Sequence, residues 1–155
     1  MAEQNTYLTT AGLDKLKAEL KELKETRRPA VIDRIKEAVA YGDLSENSEY
    51  DDAKNEQAMV EGRIAQLERL LENPQIVKTG TNGGGPVALG SKVTVKQHGN
   101  SSTYTIVGPA EADPTSGLIS NESPLGKMLI GKTKGEEAVV ETPKGNVKYT
   151  IVSVR

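Results

Sequence analysis

Four leucines open the pattern. Leu13, Leu16, Leu20 and Leu23 recur at 3-4-3 spacing and share one stripe of a helix. Polar and charged residues fill the positions between them, so the remaining faces are solvated. Thr9 or Thr10 stands where a hydroxyl would accept an orphan N–H of the first turn. Arg27 and Arg28 precede Pro29, and the stripe resumes in a shifted register at Ile32, Ile35 and Val39. Proline removes a helical hydrogen bond, so a kink or short break is predicted there. The pattern stops at Tyr41-Gly42.

A second stripe is more regular: Tyr50, Ala53, Gln57, Val60, Ile64, Leu67 and Leu71. Ser45 or Ser48 can cap it, and Ser48 followed by Asp51 has the form of a capping box. Asn73-Pro74 ends it. Each helical segment runs about 30 residues, or ~40–45 Å at the helical rise. The short connection makes the two antiparallel, each covering the other's stripe. Such a hairpin is expected to stand clear of any attached body, with the connection at its far end.

Beyond Val77 the period changes. Lys78–Pro86 holds four glycines and one proline and reads as a linker or exposed loop. Short β-branched runs follow at Lys92–Lys96, Ser102–Val107, Ala138–Thr142 and Val147–Val154, the last two joined by the turn Pro143-Lys144-Gly145-Asn146. A Ser-Pro start and a Gly stop bracket a short helix between Ser123 and Gly131. The fold class is therefore α+β: residues 1–77 form an antiparallel helical coiled-coil hairpin, and 78–155 a small twisted sheet with one helix.

Composition narrows the chemistry. Phe and Trp are absent, so a core must come from Leu, Ile and Val. The lack of cysteine excludes disulfides, thiolate nucleophiles and cysteine-ligated zinc. A single histidine, His98, lies in a Lys-Gln-His-Gly turn and argues against Ser-His-Asp catalysis or a His-rich metal site. No run approaches the roughly 20 apolar residues of a membrane span. The first residues lack a signal-peptide pattern, so a cytoplasmic location is expected.

Charge is unevenly placed. Residues 1–77 hold 11 basic and 16 acidic side chains, whereas 78–155 hold nine and six. Within 43–56 alone stand Asp43, Glu46, Glu49, Asp51, Asp52 and Glu56 against one base, Lys54. Asp43 and Glu46, three apart in a loop entering a helix, can direct two carboxylates at one point. Such oxygens suit Mg²⁺ or Ca²⁺, but two of them cannot complete a shell of six or more. Either the ion keeps mostly water and binds weakly, or a partner supplies the rest. An EF-hand counted from Asp43 would need Gly and Glu where Ser48 and Lys54 stand. Acids at a helix start also stabilise its dipole with no further purpose. Mutual repulsion of six acids weighs the other way and favours a cationic or basic partner.

Tyr7-Leu8-Thr9-Thr10-Ala11-Gly12-Leu13, Arg28-Pro29, Gly42-Asp43-Leu44-Ser45-Glu46-Asn47-Ser48-Glu49-Tyr50 and Glu61-Gly62-Arg63-Ile64 resemble the Gre family of bacterial transcript-cleavage factors. Gly108 with Glu111-Ala112-Asp113, Leu118-Ile119-Ser120 and Ser123-Pro124-Leu125-Gly126-Lys127-Met128-Leu129-Ile130-Gly131 carry the resemblance through the second half. The resemblance implies an FKBP-like C-terminal domain docked at the rim of the RNA polymerase secondary channel, with the hairpin inside the channel. It implies that Asp43 and Glu46 help hold the second Mg²⁺ of the polymerase, stimulating endonucleolytic cleavage of backtracked nascent RNA. The polymerase is then the enzyme, and Mg²⁺ is shared with it rather than held tightly by this chain alone.

The same resemblance places Lys54 near the RNA 3′ end and Ser123, Pro124 and Leu125 at the polymerase rim. Ser123-Pro124 also reads as an ordinary helix start and Leu125 as a core residue. Tyr50 reads as the first rung of its stripe, with a role near the metal as the alternative. Family members commonly carry a basic residue four positions before the tip aspartate, where this chain has Val39. DNA is expected as a partner only through the elongation complex, no membrane partner is implied, and the self-covered stripes suggest a monomer. A proline-isomerase activity is not expected without an aromatic pocket. An occlusive channel binder would not need Asp43 and Glu46 together, and a coiled-coil chaperone would favour an apolar tip.

Overall fold

The computed structural model describes residues 5–42 and 47–155. It begins with strand β1 (Thr6–Thr9) and helix α1 (Thr10–Glu22), followed by a π-helical segment (Leu23–Arg27) and helix α2 (Arg28–Ala40). Helix α3 (Ser48–Leu70) and strand β2 (Pro74–Val77) come next. The rest comprises β3 (Lys92–Gln97), β4 (Asn100–Val107), β5 (Leu118–Ser120), α4 (Pro124–Leu129), β6 (Glu137–Thr142) and β7 (Gly145–Val154). The α+β class is as the sequence patterning predicts.

The chain separates into two compact units, Leu13–Asn73 and a second that joins the residues through Gly12 to Pro74–Arg155. This division differs from the sequence boundary at 77/78. Its cause is the parallel pairing of β1 with β2, Thr6 opposite Pro74 through Thr9 opposite Val77. Two strands of four residues are below the length at which periodicity identifies a strand. Their partners are also separated by the whole helical segment.

Within Leu13–Asn73 the helices cover one another along a narrow seam. Val31, Val60 and Ile64 are buried at its centre, with Leu20, Leu23 and Ile35 packed against them. The expected stripe of α3 is borne out, since Ala53, Val60, Ile64 and Leu67 are all buried. The stripe of α2 needs correction: Val31 and Ala38 face inward, whereas Ile32 and Val39 are 37% and 47% exposed. The π segment explains the change. Arg28 N–H donates to the Leu23 carbonyl, five residues back, so this stretch carries more residues per turn than an α-helix. Leu23 and Val31, eight residues apart, therefore align, where an unbroken α-helix would set them about 80° apart around its axis. Pro29 sits at the start of α2, where its missing N–H does little harm, and the helix widens rather than breaks.

In the other unit five strands form one sheet in the order β5-β4-β3-β7-β6. β3 and β4 are joined at His98-Gly99, both at positive φ, as a two-residue hairpin turn favours. The β6–β7 turn is tighter than the four residues predicted, because Thr142 already pairs with Gly145. β5 runs parallel to β4, reached by the connection through Pro114–Ser116. Val93, Val95, Ile106, Ile119, Ala138, Ile151 and Val154 bury the inner face with Leu129 of α4. Thr9 caps α1 as expected: its Oγ1 accepts the Gly12 N–H at 3.0 Å. The Glu111 carboxylate accepts the Thr9 N–H at 2.9 Å and the Thr9 hydroxyl as well. This carboxylate thus holds the residues that start the first helix.

Candidate functional site

Helix α2 ends by ordinary capping. Tyr41 N–H donates to Ala38 O, and Gly42 N–H to Val39 O at 3.1 Å. Gly42 has φ +103, a conformation that lets a glycine close a helix and that L side chains rarely adopt. The next described residue, Asn47, starts α3. Its Oδ1 accepts the Tyr50 N–H at 3.1 Å, while its Nδ2 donates to the Ala38 carbonyl at 2.8 Å. One side chain thus caps the incoming helix and ties it to the end of the outgoing one. The expected caps were Ser45 or Ser48; Ser48 is instead the first helical residue, and Asn47 is the cap. Asn supplies an acceptor for the cap and a donor for the neighbouring arm, which serine cannot do with the same reach. Asp43 and Glu46, with Leu44 and Ser45, lie outside the described residues.

Ion pairs line the two sides of the hairpin. Arg34 binds Glu49 at 2.6 Å and also Glu56, and Arg27 reaches Glu56 at 3.0 Å. Arg28 grips Glu61 through two bonds of 2.7 and 2.8 Å. Arg63 grips Glu19 likewise at 2.6 and 2.9 Å, and Lys24 meets Glu68 at 2.5 Å. From Arg34 down to Glu19 on one arm the partners rise from Glu49 to the sixties on the other, as antiparallel packing requires. Hydrogen bonds from Arg63 and Arg28 hold the Glu19 and Glu61 carboxyls below their usual range. Glu49, chiefly through its hydrogen bond, raises the Arg34 pKa.

These pairs revise the reading of the acidic window. Glu49 and Glu56 are matched by Arg34 and Arg27, bases that precede them by 15 to 29 residues and escape a linear charge count. An i to i+22 complement across a hairpin is the signal that could have found them. Asp51 and Asp52 are exposed on α3. Lys54 is exposed too, its Nζ 3.4 Å from Gln57 Oε1, and Tyr50 is half-buried at the first rung of the stripe. Among the described residues no group of three or more His, Cys, Asp or Glu could hold a metal ion.

In the sheet unit Ser123, Pro124 and Leu125 begin α4. Ser123 Oγ accepts the Gly126 N–H at 3.0 Å and donates to the Ser120 carbonyl at 2.7 Å, so its hydroxyl serves the fold. A Cβ at Gly126 would lie 2.0 Å from that same carbonyl oxygen, so this close turn requires glycine there. Leu125 is half-buried against the core, and Pro124 is exposed. Met128 and Ile130, 40% and 39% exposed, add apolar surface nearby. No helix among the described residues is long and apolar enough to cross a membrane.

Comparison with known proteins gives this arrangement a family. Residues 6–76 match the model of the transcription elongation factor N-terminal domain, and residues 82–155 match the GreA/GreB C-terminal domain. The chain is 51% identical to the transcription elongation factor GreA of Bacillus cytotoxicus, with both chains covered in full. It is 48% identical to that of Clostridium acetobutylicum, again over the full length of both. A crystal structure of GreA factor homolog 1 of Thermus thermophilus is 31% identical, covering 98% of this chain and 99% of that one, with a TM-score of 0.45. By sequence over nearly its whole length, this chain belongs to the GreA/GreB family of transcription elongation factors.

Proposed function

We propose that this factor enters the secondary channel of bacterial RNA polymerase and stimulates endonucleolytic cleavage of backtracked nascent RNA. Asp43 and Glu46 are the residues that do so, helping to hold a second Mg²⁺ in the polymerase active centre. The observation that carries the reading is the pairing of family membership with the hairpin's sequence. Two acids three apart stand between helix ends that Gly42 and Asn47 define.

Carboxylates are hard oxygen donors of the kind Mg²⁺ takes, yet two of them leave most of its coordination shell to be filled. The donor set therefore fits a site shared with the polymerase, whose own ligands complete it. When bound, the ion supplies Lewis-acid activation of water and offsets charge at the scissile phosphate. The polymerase remains the catalyst. In this chain Asn47 fixes the direction in which α3 leaves the apex, and Lys54 places a cation one turn beyond Tyr50 for the RNA 3′ end. Pro124 and Leu125, with Ser123 as the cap that shapes their turn, would meet the polymerase rim.

A halted, backtracked complex tests the reading. Saturating wild-type protein in Mg²⁺ shortens the RNA. Asp43→Ala or Glu46→Ala lowers that stimulation by about 100-fold or more, the scale on which a single electrostatic ligand acts in a transition state. Polymerase binding stays within a few fold. Undiminished cleavage by both variants overturns the role of the two acids, and no shortening with wild type favours simple occlusion of the channel.

A further inference from the structure

Tyr41 is 87% exposed, immediately before the glycine that ends α2 and two residues before Asp43. Its backbone N–H closes the last helical turn, but its ring contributes little to the seam, which at this end is filled by Ala38 and Ala53. Two residues back, Val39 is 47% exposed where family resemblance leads one to expect a base. An aromatic ring left in water forfeits the burial that usually repays its size.

The electrostatics of the apex restrict what such a ring can meet. Asp43, Glu46, Asp51 and Asp52 stand near it in sequence and outnumber Lys36 and Lys54, while Arg34, the next base back along α2, is committed to Glu49 and Glu56. Phosphates are repelled by that charge. Nucleobases are neutral, and each has a π-face that stacks on an aromatic side chain whatever the sequence. A factor acting on RNA of any sequence needs that tolerance.

We infer that Tyr41 is a positioning residue that stacks on an unpaired base of the backtracked RNA and steadies its strand beside the acidic pair. The inference rests on the proposed function. Losing the ring is expected to raise the half-saturating concentration of factor on backtracked complexes by about fivefold or more, the lower end for one base–aromatic stack. The maximal cleavage rate changes less, and affinity for polymerase without displaced RNA is unchanged.

The test uses the full chain and RNA carrying 2-aminopurine at its displaced 3′ end. The Asp43→Asn/Glu46→Gln background keeps the RNA intact during the measurement. Quenching of the fluorescent base by Tyr41 and by Tyr41→Phe, but not by Tyr41→Leu or Tyr41→Ala, supports stacking. Equal quenching by all four overturns it, as does an unchanged half-saturating concentration for Tyr41→Ala. Absence of stimulated cleavage by the unmodified protein would defeat the proposed function instead, and the fluorescence result would still decide the role of the ring.

Discussion

Leu13–Asn73 buries a single file of side chains, with Val31, Val60 and Ile64 at its centre, and leaves most of each helix in water. The sheet unit encloses Val93, Val95, Ile106, Leu129 and Ile151 between one face of five strands and α4. The two therefore withstand damage differently. A seam two helices wide can relax or admit water at its flanks, whereas a closed core cannot. Around the seam the structure adds ion pairs on half-exposed side chains, each of small worth. The hairpin has a narrow apolar seam flanked by ion pairs, and the sheet unit has a closed apolar core.

Truncation at the two centres gives the largest contrast. Leu129→Ala removes a fully buried side chain and is expected to cost ~3–5 kcal/mol, measured by denaturant unfolding and by hydrogen exchange of the β3 and β7 amides. Ile64→Ala is expected to fall nearer 2 kcal/mol and to speed exchange in α2 and α3 alone. Equal losses at both sites would erase the distinction between seam and core.

Asn47→Ala comes next, at about 1 kcal/mol for a lost helix cap. Because Asn47 also binds Ala38 O, exchange should quicken at the end of α2 as well as at the start of α3. The proposed cleavage stimulation should fall with it, while the sheet unit's exchange stays as before. Acceleration confined to α3 would show that the cross-arm bond is idle.

The smallest effect concerns pH. Glu19 and Glu61 have folded-state pKa values below their unfolded ones, so they favour the folded hairpin above the unfolded carboxyl range. That contribution fades as pH falls through roughly 4 and below, as the carboxylates take up protons. A titration of hairpin amide exchange from neutral pH to 3 should show the loss, and Arg63→Met should abolish the Glu19 share. High salt should shrink it as well. A pH-independent hairpin would remove the ion pairs from the account of its stability.

Sequence patterning alone identified the α3 seam, since Ala53, Val60, Ile64 and Leu67 keep an unbroken helical period that any antiparallel neighbour must cover. It likewise located the long strands, whose alternation reflects one buried face, and the residue types at positions 43 and 46 that suit a cation. Register and pairing were decided elsewhere. Val31, not Ile32, lies in the seam, brought into line with Leu23 by a π turn, an effect of backbone bonding that apolar spacing does not encode. β1 and β2 found each other across the whole hairpin, and Arg34 found Glu49 and Glu56 across the seam. Local periodicity records which face a segment buries; which distant segment it meets depends on chain closure and packing, and only the tertiary structure expresses those.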